Sequence, residues 1–265
     1  MSTFLGITRE RVYSPGKVDD DRAILEAVAA RLAAEHEVRI LSSEARLADP
    51  PPSALVFTMC QGPEALATLR GWQRQGIRII NSPAAIESCH RRRMLAAFDR
   101  ARVSHPPSFI VSTSTTANAL PDWVDGGAWL KRGDVHATEP DDVVRVGDAD
   151  AARVALDRFR SRGISAAVIQ QHVRGDVVKF YAVRGRFFQC FPPDGGEWTS
   201  AKNDRLRALA EQGAAALGLE VFGGDCVYGT AGDLWLIDLN DWPSYGRCRN
   251  AAADAISAYL AAQLE

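Results

Sequence analysis

The chain has 265 residues, 46% hydrophobic and 24% charged, enough to bury a core of its own and too apolar for a disordered or collagen-like chain. Lys and Arg total 31 against 33 Asp and Glu, a net charge of −2 that gives no global field for nucleic acid or an acidic membrane, so any basic site is local. The longest apolar runs, 54–59 and 164–169, fall far short of the ~20 residues of a spanning helix. Residues 1–10 lack a basic, then apolar, then small-residue leader pattern, so the expected location is cytoplasmic. The five cysteines are scattered without CxxC or disulfide-framework spacing and are expected to be mostly small buried residues.

In chain order, strands are predicted at 3–7, 37–41, 54–58 and 77–80, separated by helices at 20–35, where Ile24, Val28 and Leu32 share a face, and at 63–75, which opens on Pro63. Such alternation predicts an open parallel α/β unit. Asn81-Ser82-Pro83 then caps a third helix running to Ala101, and Pro106-Pro107 ends the region. The polar run 112–118 reads as a loop or linker, which places a domain boundary near residue 110. Beyond it the rhythm changes. Strands at 128–132, 143–146, 166–171, 177–183 and 186–191 accompany one helix at 151–162, with Arg184-Gly185 as a hairpin signal. A helix at 202–217 ended by Gly218, strands at 221–228 and 234–239, and a helix at 250–264 complete the chain. Gly126-Gly127 and Gly195-Gly196 read as turns, since neither has a phosphate-loop pattern.

The chemistry concentrates late in the chain. Asp225 and Asp238 stand in otherwise apolar strands, where an unpaired charge is costly, and Asn240 leaves the same strand face as Asp238. Either carboxylate alone would read as a turn cap or an Arg partner. Together, two carboxylates and an amide oxygen suit Mg²⁺, with Mn²⁺ as a substitute, the remaining ligands being water and phosphate. Lysine is scarce here, only Lys17, Lys131, Lys179 and Lys202, so Lys131 and Lys179 within strands are candidate phosphate contacts, although a solvated strand face would also hold them. There is no GxSxG, and Cys89-His90 is mere sequence adjacency, so covalent catalysis is not expected.

The order Asn81-Ser82-Pro83, Arg91-Arg92-Arg93, Lys131, the segment Val168 to Val173, Lys179, Asp225 and Asp238-Leu239-Asn240 resembles the ATP-grasp superfamily over nearly the whole chain. The resemblance implies an α/β and α+β architecture: an N-terminal open parallel domain over 1–110, then an ATP-grasp domain over 111–265, with a smaller lid at about 111–173 and a metal-binding part at about 174–265. It implies ATP and Mg²⁺ as cofactors. Lys131 would touch the α- and β-phosphates, Gln170, Gln171, His172 and Val173 would present backbone to adenine, and Asp176 would meet the ribose. Asp225, Asp238 and Asn240 would hold the metal. Two departures stand out: the segment after Lys131 is short for the family's glycine-rich flap, and the family's helix lysine is replaced by Arg91 to Arg93, of which Arg93 is taken as a phosphate ligand.

Most members of that superfamily phosphorylate a carboxylate and then let an amine or thiol displace the phosphate, and this ligase reaction is the expected function. Asp238 to Tyr245 and Val178 to Val183 also look like the inositol-polyphosphate kinase branch, in which a hydroxyl accepts the phosphoryl group and His136 and Lys179 would bind substrate phosphates. An exposed loop histidine describes His136 equally well. A degenerate nucleotide-binding module is the third alternative. Ser244, Tyr245 and Arg247, in the turn after the metal strand, would face the acceptor, with Lys179 and Arg247 acting at the reacting groups. Arg9 and Lys17, after the first strand, are a second candidate acceptor site, although that segment also reads as an ordinary charged loop. The partner is a small molecule, with no nucleic acid and no membrane; the sequence does not set the oligomeric state.

Overall fold

The computed structural model describes residues 2–47, 50, 54–115, 120–134, 139–194 and 198–264. Among them the chain builds three four-stranded sheets. The first comprises β1 (Thr3–Ile7), β2 (Glu37–Leu41), β3 (Leu55–Thr58) and β4 (Arg78–Ile80), all parallel, in the order β2-β1-β3-β4. Helices α1 (Val18–Leu32) and α2 (Pro63–Arg74) are its crossovers. The apolar face predicted for α1 is the buried one: Ile24, Val28 and Leu32 are all within the core.

The helix predicted as one piece from Pro83 to Ala101 is two, α3 (Pro83–Ser88) and α4 (Arg91–Ala101). Ser82 caps α3 as its sequence implies, accepting a hydrogen bond from the Ala85 amide. Cys89 closes the helix, and His90 adopts an extended conformation that restarts it. Composition carries no breaker here; the break serves burial, with Cys89, Met94 and Phe98 all in one core.

The polar run from 112 was expected to be a loop, but its start belongs to β5 (Ser108–Ser112), which pairs antiparallel with β8 (Ala166–Gln171). Tertiary pairing overrides a weak local preference at this edge strand. Residue 110, the proposed boundary, therefore lies inside a strand. With β6 (Ala128–Arg132) and β7 (Val143–Val146), these strands form a second sheet in the order β5-β8-β6-β7, covered by α5 (Ala149–Ser161).

The third sheet has the order β10-β9-β11-β12 and is antiparallel throughout: β9 (Gly175–Val183), β10 (Phe187–Phe191), β11 (Val221–Gly229) and β12 (Leu234–Asp241). Helix α6 (Ser200–Leu217) packs Leu206, Ala210 and Ala214 against one face of this sheet, on Phe180, Phe222 and Leu239. The last helix, α7 (Arg249–Ala261), lies on α1, so Ile24, Val28, Tyr181, Val221, Trp242 and Ile256 share one core. The first and third sheets are thereby joined, while the second has its own core. No helix among the described residues is long and apolar enough to cross a membrane.

Candidate active site

The register of the third sheet assembles the centre of the site. Phe191 pairs with Lys179, Lys179 with Asp225, and Asp225 with Asp238, a row across all four strands. Directly paired residues of antiparallel strands share a face, so one row runs from an aromatic ring through a lysine to two carboxylates. Asn240 lies opposite Gly223 on the same side, and a bulge between Asp225 and Cys226 re-aims β11 at this point.

Lys179 Nζ donates to Asp225 at 3.0 and 2.8 Å to its two oxygens. Asp238 meets the Arg91 guanidinium at 3.5 Å, while its buried Oδ1 has no hydrogen-bond partner. An orphaned carboxylate oxygen beside a second carboxylate and an amide oxygen is a hard-donor set that fits Mg²⁺. No cluster of three or more His, Cys, Asp or Glu suited to a metal occurs among the described residues; a cation held by two carboxylates and an amide would take its remaining ligands from phosphate and water. Asp225 and Asp238 are paired across the ladder, and Asn240 lies one pair further along on the same face.

Across from this sheet, Lys131 on β6 is only 8% exposed. Its ammonium donates to Gln170 Oε1 at 2.7 Å and reaches over the cleft to the Ile237 carbonyl at 3.3 Å. Burial pulls its pKa down to about 8, with the Asp238 carboxylate opposing the shift. Gln170 is buried mid-ladder between Ser108 and Trp129; its side chain accepts from Lys131 and donates to Ser108 Oγ, so it positions the lysine.

Beside Lys131 lies a slot of about 270 Å³ lined by Pro106, Trp129, Val143, Gln171, His172, Val173, Val177, Val227 and Ile237. Its walls are largely apolar, as a planar base requires. Trp129 Nε1 bonds His172 Nδ1 at 3.2 Å, fixing one wall. The amides of Gln171 and His172 are committed to Pro107 O and Gly127 O, whereas the Val173 N–H has no backbone acceptor among the described residues. Asp176, expected at the ribose, is exposed on β9 opposite Tyr228 and lines no cavity of the site.

A front cavity of about 280 Å³ opens between the first and third sheets, with Arg9, Lys17, Arg91, Lys179, Asp238, Asn240 and Ser244 in its wall. Arg91, not Arg93, is the arginine that enters it. Arg93 is exposed and pairs with Glu87, whereas Arg91 is 6% exposed and keeps Nε and Nη1 without partners. Arg9 is mainly a strut: its Nε donates to Met59 O and its Nη2 to Trp242 O and Asp241 O, and it pairs with Asp21 at 3.7 Å. Asp241, which ends β12 just after Asn240, is fully buried and accepts from Gln61; burial raises its pKa to about 6, against the Arg9 charge. Gln61 and Asp21, which also line this cavity, carry no local motif, which is why the sequence did not reveal them.

Tyr245, expected to face substrate, does not. It is 0% exposed, and its hydroxyl donates to Ala182 O and Phe222 O. With Trp242, whose indole bonds Ile80 O, it holds the turn after β12; both have positive φ (51° and 34°), a local cost that this anchoring sustains. Arg247 lies in a separate side cavity of about 470 Å³ with Val177, Lys179, Phe191, Pro192, Pro193, Asp194 and Asp225. His136 lies outside the described residues.

No protein-family model matches the chain, and no curated protein matches it. Solved structures do. D-alanyl-alanine synthetase A from Vibrio cholerae superposes with a TM-score of 0.72 at 12% identity, covering 100% of this chain and 98% of that one. A RimK domain ATP-grasp protein from Sphaerobacter thermophilus gives 0.70 at 20% identity, covering 98% and 99%. D-cycloserine synthetase DcsG gives 0.68 at 17% identity, covering 97% and 99%.

Proposed function

The chain has the ATP-grasp fold, and from that premise we propose that it is an ATP- and Mg²⁺-dependent ligase, which phosphorylates a substrate carboxylate and joins it to an amine or thiol. The observation that carries the reading is the convergence on one cleft of an apolar slot, a buried lysine and a carboxylate–carboxylate–amide set with an orphaned oxygen. The structural likeness to proteins named synthetases supports the ligase class.

In this reading Asp225, Asp238 and Asn240 hold Mg²⁺, which when bound neutralises the phosphate charge of the nucleotide. Lys131 binds phosphate oxygens: its present partners are a neutral amide and a carbonyl, so its charge is available to an anion. The slot takes the base and excludes water from one side of it. Arg91 faces the front cavity with donors to spare, an anion clamp at the end where the carboxylate enters. The carboxylate oxygen bonds to the γ-phosphorus as the bond to ADP breaks; the amine then adds to the acyl carbon, phosphate leaves, and the amine loses a proton. Fixed positive groups and orientation supply most of the rate.

The test is product stoichiometry with ATP, Mg²⁺ and a pool of amino acids. ADP and free phosphate should appear in equal amounts, and hydroxylamine should trap the activated carboxyl as a hydroxamate. ADP with a phosphorylated product and no free phosphate would instead mark a kinase and overturn the ligase assignment.

A further inference from the structure

Three strands of the parallel sheet, β1, β3 and β4, run out toward the same two residues of the third sheet, Asp241 and Trp242. Arg9, just past β1, donates from Nη2 to the carbonyls of Trp242 at 2.7 Å and Asp241 at 3.3 Å, and from Nε to Met59 O at 3.1 Å. Gln61, past β3, donates from Nε2 to Asp241 Oδ1 at 3.0 Å. The carbonyl of Ile80, which ends β4, accepts from the Trp242 indole at 3.2 Å. Open α/β sheets bind ligands at the carboxyl ends of their strands, and here that edge holds the chain's own backbone.

The residue ahead of this pair is Asn240. Successive residues of a strand leave opposite faces, so Asn240 shares the face of Asp238 while the Asp241 carboxylate passes to the other side and is fully buried. A buried carboxylate is costly unless it is hydrogen-bonded, and an apolar residue would end the strand without that cost. The groups that hold Asp241 are themselves held. Glu10, next to Arg9, accepts from the backbone amides of Gln61 and Gly62, both at 2.9 Å. Asp21 lies 3.7 Å from Arg9 and accepts from Ser14 at 2.7 Å. A guanidinium fixed in this way, bonded to two successive carbonyls, sets the orientation of both peptide planes that follow Asn240.

We propose that Gln61 and Arg9 are positioning residues for the metal: by clamping Asp241 and Trp242 from the first sheet, they hold Asn240 in place alongside Asp225 and Asp238. Mg²⁺ demands a near-ideal octahedron, so a ligand allowed to drift loses most of its worth. The proposal rests on the assignment of Mg²⁺ to those three residues.

The test reads the Mg²⁺ concentration that gives half-maximal binding of AMP-PNP to the intact chain, by calorimetry across a magnesium series, with the melting temperature of the unliganded chain recorded alongside. Gln61→Leu, close in volume, should raise that concentration about tenfold or more, while affinity for AMP-PNP without Mg²⁺ stays as in the wild type. Arg9→Met should act in the same direction. Combining Gln61→Glu with Asp241→Asn exchanges donor and acceptor, keeps one carboxylate, and should return the Mg²⁺ requirement toward the wild-type value. A clamp that serves stability alone would lower the melting temperature and leave the Mg²⁺ requirement where it was. That result, or a double variant no better than Gln61→Leu, overturns the proposal. Should Arg9→Met not fold, Gln61→Leu and the double variant decide the matter. Wild-type binding of AMP-PNP that is indifferent to Mg²⁺ overturns the metal assignment itself, and the positioning role with it.

Discussion

Asp238→Asn should cut turnover by at least about 10³-fold while leaving the fold intact. The substitution keeps the shape of the side chain and removes one metal charge. Asp238 is also the carboxylate whose Oδ1 is buried without a partner, so in the absence of a cation it contributes little to stability through that atom. Two electrostatic changes oppose one another on substitution: Asp225, directly across the ladder, loses a like-charged neighbour, and Arg91 loses a counter-charge at 3.5 Å. The net change in stability should stay within about 1 kcal/mol. Turnover of ATP and the melting temperature, measured on the same preparation, check both halves. An active variant would remove Asp238 from the metal set.

Gly224→Ala should be strongly destabilising. A Cβ at this position would lie 2.3 Å from the Asp238 carbonyl oxygen and 2.9 Å from Phe180 Cζ. The first of these atoms is main chain of the paired strand, so relief requires β11 and β12 to move apart where Gly224 pairs with Leu239. A cost of about 3 kcal/mol or more follows, seen as a fall of roughly 6–12 °C in melting temperature. The same movement shifts Asp225 away from Asp238, so affinity for Mg²⁺ and nucleotide should fall together with stability. Gly126→Ala is the control, because nothing lies within 4 Å of its Cβ. If both variants melt with the wild type, the close approach of β11 to β12 is wrong.

Much of this architecture is written locally in the chain. Strands at 3–7, 37–41, 128–132, 143–146 and 166–171 fall where short β-type runs place them. Asp225, Asp238 and Asn240 were legible because charge inside apolar strands demands a partner. Three consecutive arginines were not resolvable in the same way. Successive helical residues differ by about 100°, so a single one faces the cleft, and which one depends on the break at Cys89–His90 that resets the phase of α4. Tyr245 likewise looked like a substrate residue beside Ser244, whereas the positive-φ turn drives it into the core. The row from Phe191 to Asp238 depends on inter-strand register over residues far apart in sequence, which local patterning does not carry. Arg247 gained a neighbour and a cavity only through that register.

In the proposed reaction the cleft between the second and third sheets binds ATP through Mg²⁺ held at Asp225, Asp238 and Asn240. A ligand that binds only the folded chain stabilises it by about 2.7 kcal/mol at one hundred times its dissociation constant, so thermal denaturation reads it directly. Melting curves with millimolar ATP, with and without Mg²⁺, on the wild type and on Asp238→Asn make the measurement. The wild type should melt several degrees higher only when both ATP and Mg²⁺ are present, and the variant should show no such rise. No rise with the wild type, or a rise indifferent to Mg²⁺ and to Asp238, would contradict this mode of binding.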